Sequence, residues 1–286
     1  MNILLSGCFP FFLVSVIPNW WQALILGMVQ GLTEFLPISS TAHLRLAPAL
    51  LGWEDAGASF SAVIQLGSLV AVFLYFAEDL RTLILESWKA LREREYDSEP
   101  FKILVGIMVG TLPIVIEGIA IKLIWGSPPR QLTVIALASI GLALLLAWAE
   151  KVGRRERGWM DLSIRDGIWV GIAQGFALIP GVSRSGATIT AGLFLNLSRE
   201  TAARFAFLLG IPALMLAGVV EFVSDFELAG LWPQLLGTLS AFIFSYLSID
   251  WLLKFLQRSS TAVFIAYRVA LGVAIFLGLA TGILRL

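Results

Sequence analysis

Apolar residues run along this chain in blocks of about twenty, the length a helix needs to cross the hydrocarbon core of a bilayer. Uncharged blocks of that size lie at Ala56–Ala77, Gln131–Ala149 and Leu228–Ile249. Three more tolerate a single charge near one end: Ile103–Ile121 carries Glu117, Phe205–Ser224 carries Glu221 and Ile265–Leu284 carries Arg268. The pattern predicts six membrane-spanning helices. Four further apolar stretches are too short to cross: Trp20–Phe35, Ile38–Leu51, Gly167–Ile179 and Ser185–Leu197. They form two pairs, broken by Pro37 and Pro180, and a proline stops one helix and suits the first turn of the next. Each pair reads as a re-entrant hairpin. Backbone that leaves the helix at that depth needs protein or water as partner, so the breaks themselves point to a polar site. Residues 1–19 are apolar without a basic flank, which argues against a cleaved signal peptide. They are compatible with an interfacial helix, a seventh crossing or an upstream start.

Composition agrees with a membrane protein. Of 286 residues, 58% are hydrophobic and 14% charged, against about 25% charged in an ordinary soluble domain; mean hydropathy is +0.87. These numbers argue against a soluble enzyme. Twenty basic and twenty acidic side chains cancel, so charge gives no argument for a nucleic-acid partner. One cysteine, Cys8, and one histidine, His43, exclude an internal disulfide and a multi-histidine metal site. The segments 78–102, 150–166, 198–204 and 250–264 hold fourteen Lys and Arg, against three in the segments on the other side (Lys122, Arg130 and Arg285). The positive-inside rule places the first set in the cytoplasm. Trp53, Trp125, Trp148, Trp232 and Trp251 fall at or near segment ends, where indole prefers the interface.

The two hairpins resemble each other. LGMVQGLTEFLPISSTAHL from Leu26 and VGIAQGFALIPGVSRSGATI from Val170 align Gly27, Gln30 and Gly31 with Gly171, Gln174 and Gly175. Downstream, FSAVIQLGSLVAVF from Phe60 echoes FAFLLGIPALMLAG from Phe205. Each half is one hairpin plus three spans, and an odd number of crossings inverts the second half relative to the first. The expected fold is therefore all-α: a polytopic membrane protein of six transmembrane helices and two re-entrant hairpins in an inverted-topology repeat. Its halves are 20–149 and 167–286, joined by a basic cytoplasmic loop, 150–166. Such repeats place ligands near the midplane, between the halves. The glycine pairs Gly27/Gly31 and Gly171/Gly175 read as close helix packing, and outward-facing glycines are compatible with a homodimer.

Ionisable groups inside a membrane cost about 2.5–3.5 kcal/mol each on insertion scales, yet Glu34, His43 and Arg184 all lie in the hairpins. Around them sit Ser39, Ser40, Thr41, Ser183, Ser185 and Thr188, with Gly181 and Gly186 permitting close backbone approach. Helix capping explains one or two hydroxyls, not this charged set. Pro37 and Pro180 each open a helix whose free N–H groups suit an anion, and Arg184 adds donors matched to phosphate oxygens. Ser39 and Ser40 precede His43 by four and three residues, so either can share a helix face with it. His43 is the natural base for a serine nucleophile or the acid for a leaving group. Glu34 can orient His43, hold Mg²⁺ or Ca²⁺, or act as base to water. Gln30 and Gln174 are open between ligand contact and interhelical hydrogen bond. The residues thus suggest a phosphatase; the same architecture also suits a polyprenyl-phosphate flippase or transporter, which would not require the serine–histidine–glutamate set.

The strings GLTEFLPISSTAHL (Gly31–Leu44) and PGVSRSGAT (Pro180–Thr188) resemble the motifs of the undecaprenyl-diphosphatase family, also called bacitracin-resistance proteins. The resemblance covers roughly 20–286. It implies hydrolysis of undecaprenyl diphosphate, a polyprenyl lipid substrate, to the monophosphate and inorganic phosphate, with a divalent cation, at a site facing the outer side of the bacterial plasma membrane. By motif position Glu34, Ser39, Ser40, His43 and Arg184 fall on functional residues, Ser40 as nucleophile with His43 as an alternative. Ser39, Thr41, Ser183, Ser185 and Gly186 are the further phosphate-binding candidates around Arg184.

One position departs from the family pattern, which often has glutamate where this chain has Gln30. An amide accepts through oxygen but supplies neither base nor negative charge, so Glu34 is expected to carry the essential charge, with Gln30 a weak or indirect metal ligand. Gln30→Glu should strengthen metal dependence, measured as activity against Mg²⁺ and Ca²⁺ concentration; unchanged dependence would exclude residue 30 as a ligand.

Overall fold

A computed structural model describes residues 17–124, 131–225 and 230–284. The N-terminal stretch to residue 16, Trp125, Arg130 and Arg285 lie outside the described residues. The first hairpin is α1 (Trp20–Glu34) and α2 (Ser40–Leu51), followed by α3 (Gly57–Tyr75), α4 (Ala77–Glu93), α5 (Glu99–Ile124) and α6 (Leu132–Val152). The second hairpin is α7 (Ile164–Gly175), which tightens into a 3₁₀ turn at Phe176–Leu178, and α8 (Arg184–Phe194). Then come α9 (Arg199–Asp225), α10 (Leu231–Arg258) and α11 (Ala262–Ala280). Among the described residues no strand forms beyond an isolated bridge between Arg157 and Leu197.

Five helices (α5, α6, α9, α10 and α11) are each long and apolar enough to cross a bilayer. The sixth candidate is the pair α3–α4, bent by 65° at Phe76, of which α3 is the apolar arm. The protein is thus a multi-pass membrane protein, as the hydrophobic blocks predict. The segment 78–102 differs from the loop its charge suggests, because most of it is helix α4. Its first turn carries Glu78 and Asp79 and its last Arg92, each matched to the helix dipole. Leu83, Ser87 and Ala90 face the protein while Ile84, Leu85, Trp88 and Leu91 are exposed. Apolar side chains interleaved with charge and turned away from the core suit a helix lying in the interface.

Glycines set which helices meet. On α1, a Cβ at Gly27 would lie 2.2 Å from the Gly237 oxygen of α10, and one at Gly31 2.6 Å from the Ala241 oxygen. On α7, a Cβ at Gly167 or Gly171 would lie 2.2 or 2.1 Å from the Gly106 or Gly110 oxygen of α5. The first helix of each hairpin therefore packs backbone to backbone on a span of the opposite half, the close approach that small residues allow. These glycines face inward and leave no surface for a second copy. Gly175 serves differently: the carboxylate of Glu117 on α5 occupies the space its side chain would take.

A charged clamp closes the base of the second hairpin. Arg157 donates twice to Asp166, at 2.8 and 2.6 Å, and also to the carbonyls of Leu195 at the end of α8 and Asp161 before α7. Asp166 in turn accepts from the backbone and hydroxyl of Ser163, completing the N-terminal cap of α7. Burial pushes the Asp166 carboxyl upward, but the bonds from Arg157 and Ser163 outweigh it and hold it below the usual carboxylate range. A depressed acid contributes stability above its unfolded value of about 3.9, lost as pH falls through the folded value. Asp166→Asn should therefore cost about 1–3 kcal/mol at neutral pH and progressively less on acidification below pH ~4, read by thermal unfolding in detergent at the two pH values.

Candidate active site

Both hairpin breaks take the same shape. The helices do not begin at the prolines, as proline-first initiation predicts, but at Ser40 and Arg184, with Ser39 and Ser183 as N-caps. Each cap's hydroxyl accepts from the backbone N–H three residues on, of Ala42 and of Gly186. Each holds the same rare backbone conformation, φ 76° and ψ 101° at Ser39, φ 72° and ψ 118° at Ser183. Such a conformation costs an L-residue about 1–3 kcal/mol and persists only where the surroundings enforce it, most often at functional sites. The prolines end the incoming chain, and a serine two residues after Pro37 and three after Pro180 supplies the oxygen that starts the new helix.

Arg268 on α11 enforces the breaks. Its side chain is fully buried, and all its hydrogen bonds go to carbonyls. They comprise Pro37 in the first break, Gly181 and Val182 in the second, and Ala138 and Ser139 on α6, at 2.9–3.3 Å. The sequence shows this residue only as a single charge tolerated within a span; no local pattern links it to two breaks more than eighty residues away.

Between the helix starts lies a cavity of about 200 Å³. It is lined by Glu34, Ser39, Ser40 and Thr41 from the first hairpin and by Gly181, Ser183 and Arg184 from the second, with Gln65 of α3 and apolar walls from Ile114, Leu178 and Leu214. Glu34 is its hub. The Ser40 hydroxyl donates to Glu34 Oε2 at 2.7 Å, the buried Gln30 amide to the same oxygen at 3.0 Å, and Arg184 Nη2 to Oε1 at 3.3 Å. Gln30 thus acts here as a donor that holds Glu34. The other two nitrogens of Arg184, Nε and Nη1, are buried with no partner among the described residues. Gly210 makes room for this guanidinium, since a Cβ there would fall 1.2 Å from Nη1.

Three expected site residues stand outside this cavity. His43 is turned from Ser40: its Nδ1 lies 2.7 Å from the Ser39 carbonyl and its Nε2 2.6 Å from the Tyr267 hydroxyl, with the two rings stacked. A carbonyl only accepts, so Nδ1 carries the proton and Nε2 accepts from tyrosine. Ser40 and His43 share a helix, but the α2 start turns the hydroxyl toward Glu34 instead. Ser185 donates to the Leu36 carbonyl at 3.0 Å and to that of Glu34 at 3.4 Å, tying one hairpin to the other. Gly186 donates to Ser183 and packs on Leu142. Sequence reasoning missed Gln65, Tyr267 and Arg268; the first two are ordinary residues of apolar spans, and only Arg268 left a signal, a buried charge without a role.

An anion entering here would meet two helix N-termini, two spare guanidinium donors, and a hydroxyl already hydrogen-bonded to a carboxylate. That arrangement suits phosphoryl transfer, and its setting among membrane spans defines the class as an integral-membrane phosphatase. Comparison with known proteins narrows the class. The family described as bacitracin resistance protein BacA matches residues 23–274, and the chain belongs to it. Proteins named undecaprenyl-diphosphatase from Synechococcus sp. (strain JA-2-3B'a(2-13)) and Synechocystis sp. (strain ATCC 27184 / PCC 6803 / Kazusa) are 72% and 53% identical to it. The matches span 94% and 92% of this chain and 97% and 83% of theirs. One of the same name from Trichodesmium erythraeum (strain IMS101) is 50% identical over 93% of this chain and 88% of its own.

Arg268→Met would leave five buried carbonyls short of their donor, at about 1–3 kcal/mol for each group that finds no substitute. Arg268→Lys keeps the charge but replaces a planar five-donor fork with a single point. Both variants should unfold at lower temperature in detergent, methionine more than lysine, and both should lose phosphatase activity.

Proposed function

We propose that this protein hydrolyses undecaprenyl diphosphate to undecaprenyl phosphate and inorganic phosphate at the outer face of a bacterial plasma membrane. This would recycle the lipid that carries cell-wall precursors and so lower sensitivity to bacitracin. The observation that carries the reading is the Ser40–Glu34 hydrogen bond beside the two unpartnered nitrogens of Arg184. The names of the relatives support the substrate, and the distribution of basic loops supports the orientation.

In this mechanism Arg184 and the two helix starts bind the diphosphate. Glu34 takes the proton of Ser40 as its oxygen attacks the terminal phosphorus, and the bond to the lipid monophosphate breaks. Water then hydrolyses the phosphoserine. Donors already aimed at the phosphoryl oxygens stabilise the transition state without reorganising. His43 acts through structure: it fixes the Ser39 carbonyl, and with it the strained cap that orients Ser40. The second half supplies the cation and the first half the acid and nucleophile, which fits an inverted repeat meeting at the cavity. The paired packing of α1 on α10 and α7 on α5 and the matching Ser39 and Ser183 conformations support that repeat. A homodimer would need other small residues, such as Gly118 and Gly141, beside which nothing lies within 4 Å.

A resident metal site does not fit the donor set. Among the described residues no three His, Cys, Asp or Glu gather to hold an ion, and Glu34 is the one carboxylate lining the cavity. We infer that a divalent cation, Mg²⁺ or Ca²⁺, arrives bound to the diphosphate as part of the substrate, as magnesium commonly does with phosphates.

Purified protein in detergent should release phosphate from undecaprenyl diphosphate, and a chelator should suppress turnover. Ser40→Ala, Glu34→Gln and Arg184→Ala should each lower kcat/KM by about 100-fold or more, and His43→Ala should lose most activity through the displaced cap. Near-wild-type rates in Ser40→Ala, His43→Ala and Arg184→Ala together would overturn the assignment.

A further inference from the structure

Gln65 projects from α3, in the middle of an apolar span, into the catalytic cavity. Its side-chain amide makes no hydrogen bond among the described residues. The amide is half-buried and opens into the cavity that it shares with Ser40, Glu34 and Arg184, where it is available to a ligand.

The internal repeat gives the position meaning. The register that aligns Ser39 with Ser183 aligns Ser40 with Arg184, and the register that aligns Phe60 with Phe205 aligns Gln65 with Gly210. In the second half α8 packs along α9, and Arg184 fills the space that the missing side chain of Gly210 leaves. In the first half α2 and α3 barely touch. There the hairpin residue is the short Ser40 and the span residue the long Gln65, so the volume between them stays open as the cavity. One half thus sends a cationic donor from its hairpin, the other a neutral donor from its span, into one space.

We propose that Gln65 is a substrate-contact residue whose Nε2–H group donates to a non-bridging oxygen of the terminal phosphate, across the cavity from Arg184. Charge explains why an amide serves here. A lysine or arginine at 65 would pair with Glu34 and withdraw it from Ser40, and a glutamate would repel the diphosphate. The amide binds an anion and leaves the Glu34–Ser40 pair intact. The proposal rests on the phosphatase reading.

The test uses the full-length protein in detergent with undecaprenyl diphosphate, comparing wild type with Gln65→Met, Gln65→Glu and Gln65→Asn. Gln65→Met keeps the shape and removes the donor; it should lower kcat/KM by about 10- to 100-fold and weaken inhibition by the product, inorganic phosphate, about tenfold. Gln65→Glu should lose more at neutral pH and recover as the pH falls and its carboxyl is protonated, a response that a packing role would not give. Gln65→Asn keeps the amide and should retain more activity than methionine. Should the methionine variant fail to fold, the pH profile of the glutamate variant against that of the asparagine variant decides. Wild-type kcat/KM and phosphate inhibition in Gln65→Met, or a Gln65→Glu deficit that does not change with pH, would overturn the proposal. Absence of turnover in the wild type itself would instead overturn the phosphatase reading.

Discussion

A chain that turns back at membrane depth leaves carbonyl oxygens with neither a helix nor bulk water to satisfy them. This protein breaks its helices twice among apolar spans, at Pro37 and across Gly181–Val182, and answers both breaks with one guanidinium. Arg268 can serve because its five N–H groups radiate in a plane from a single charge, and because that charge is offset by the negative ends of five carbonyl dipoles rather than by a carboxylate. The breaks hold their strained serine caps, and the caps hold the starts of α2 and α8. Withdrawing the arginine would release both breaks together, so the two hairpins are mechanically one object although 144 residues separate their caps.

On that frame, likeness builds the scaffold and difference builds the chemistry. Both hairpins use a glycine-lined first helix, a proline stop and a serine cap at an uncommon φ and ψ. Where the hairpins diverge, charge appears. Glu34 sits at the end of α1, while the second hairpin at the corresponding turn is apolar; Arg184 opens α8, while α2 opens with Ser40. The acid and the cation then meet at 3.3 Å with both side chains almost buried. A buried pair of this kind is poor evidence for stability, since desolvation offsets much of the attraction. Here the arginine gives Glu34 one nitrogen and keeps two free, which is the state of a binding site rather than of a completed ion pair.

Much of this was legible in the chain. Block length identified the spans, proline identified the breaks, and glycine spacing identified the faces that pack, because each reflects a local rule of backbone geometry or hydration. Glu34, Ser40, Thr41, Ser183 and Arg184 were recognisable because polar side chains in an apolar hairpin need a reason. The spacing argument failed at His43: three residues along a helix brings side chains to one face, but the face that α2 presents to the cavity includes Ser40 and not the imidazole, which Tyr267 claims. Ser185 and Gly186 lie in a phosphate-like motif and yet are consumed in holding the motif's shape.

The sequence by itself determined that this chain is a bundle of spans with two broken hairpins, and that an acid, a hydroxyl and a cation lie at the breaks. Hydrophobicity and backbone stereochemistry act over a few residues, so their record is local. Only the tertiary structure decided which of these groups meet, that Glu34 rather than His43 accepts the Ser40 hydrogen bond, that Gln65 faces the cavity, and that Arg268 ties both breaks. Those outcomes depend on contacts between side chains dozens to hundreds of residues apart, set by how whole helices rotate against one another, and no periodicity along the chain encodes that rotation.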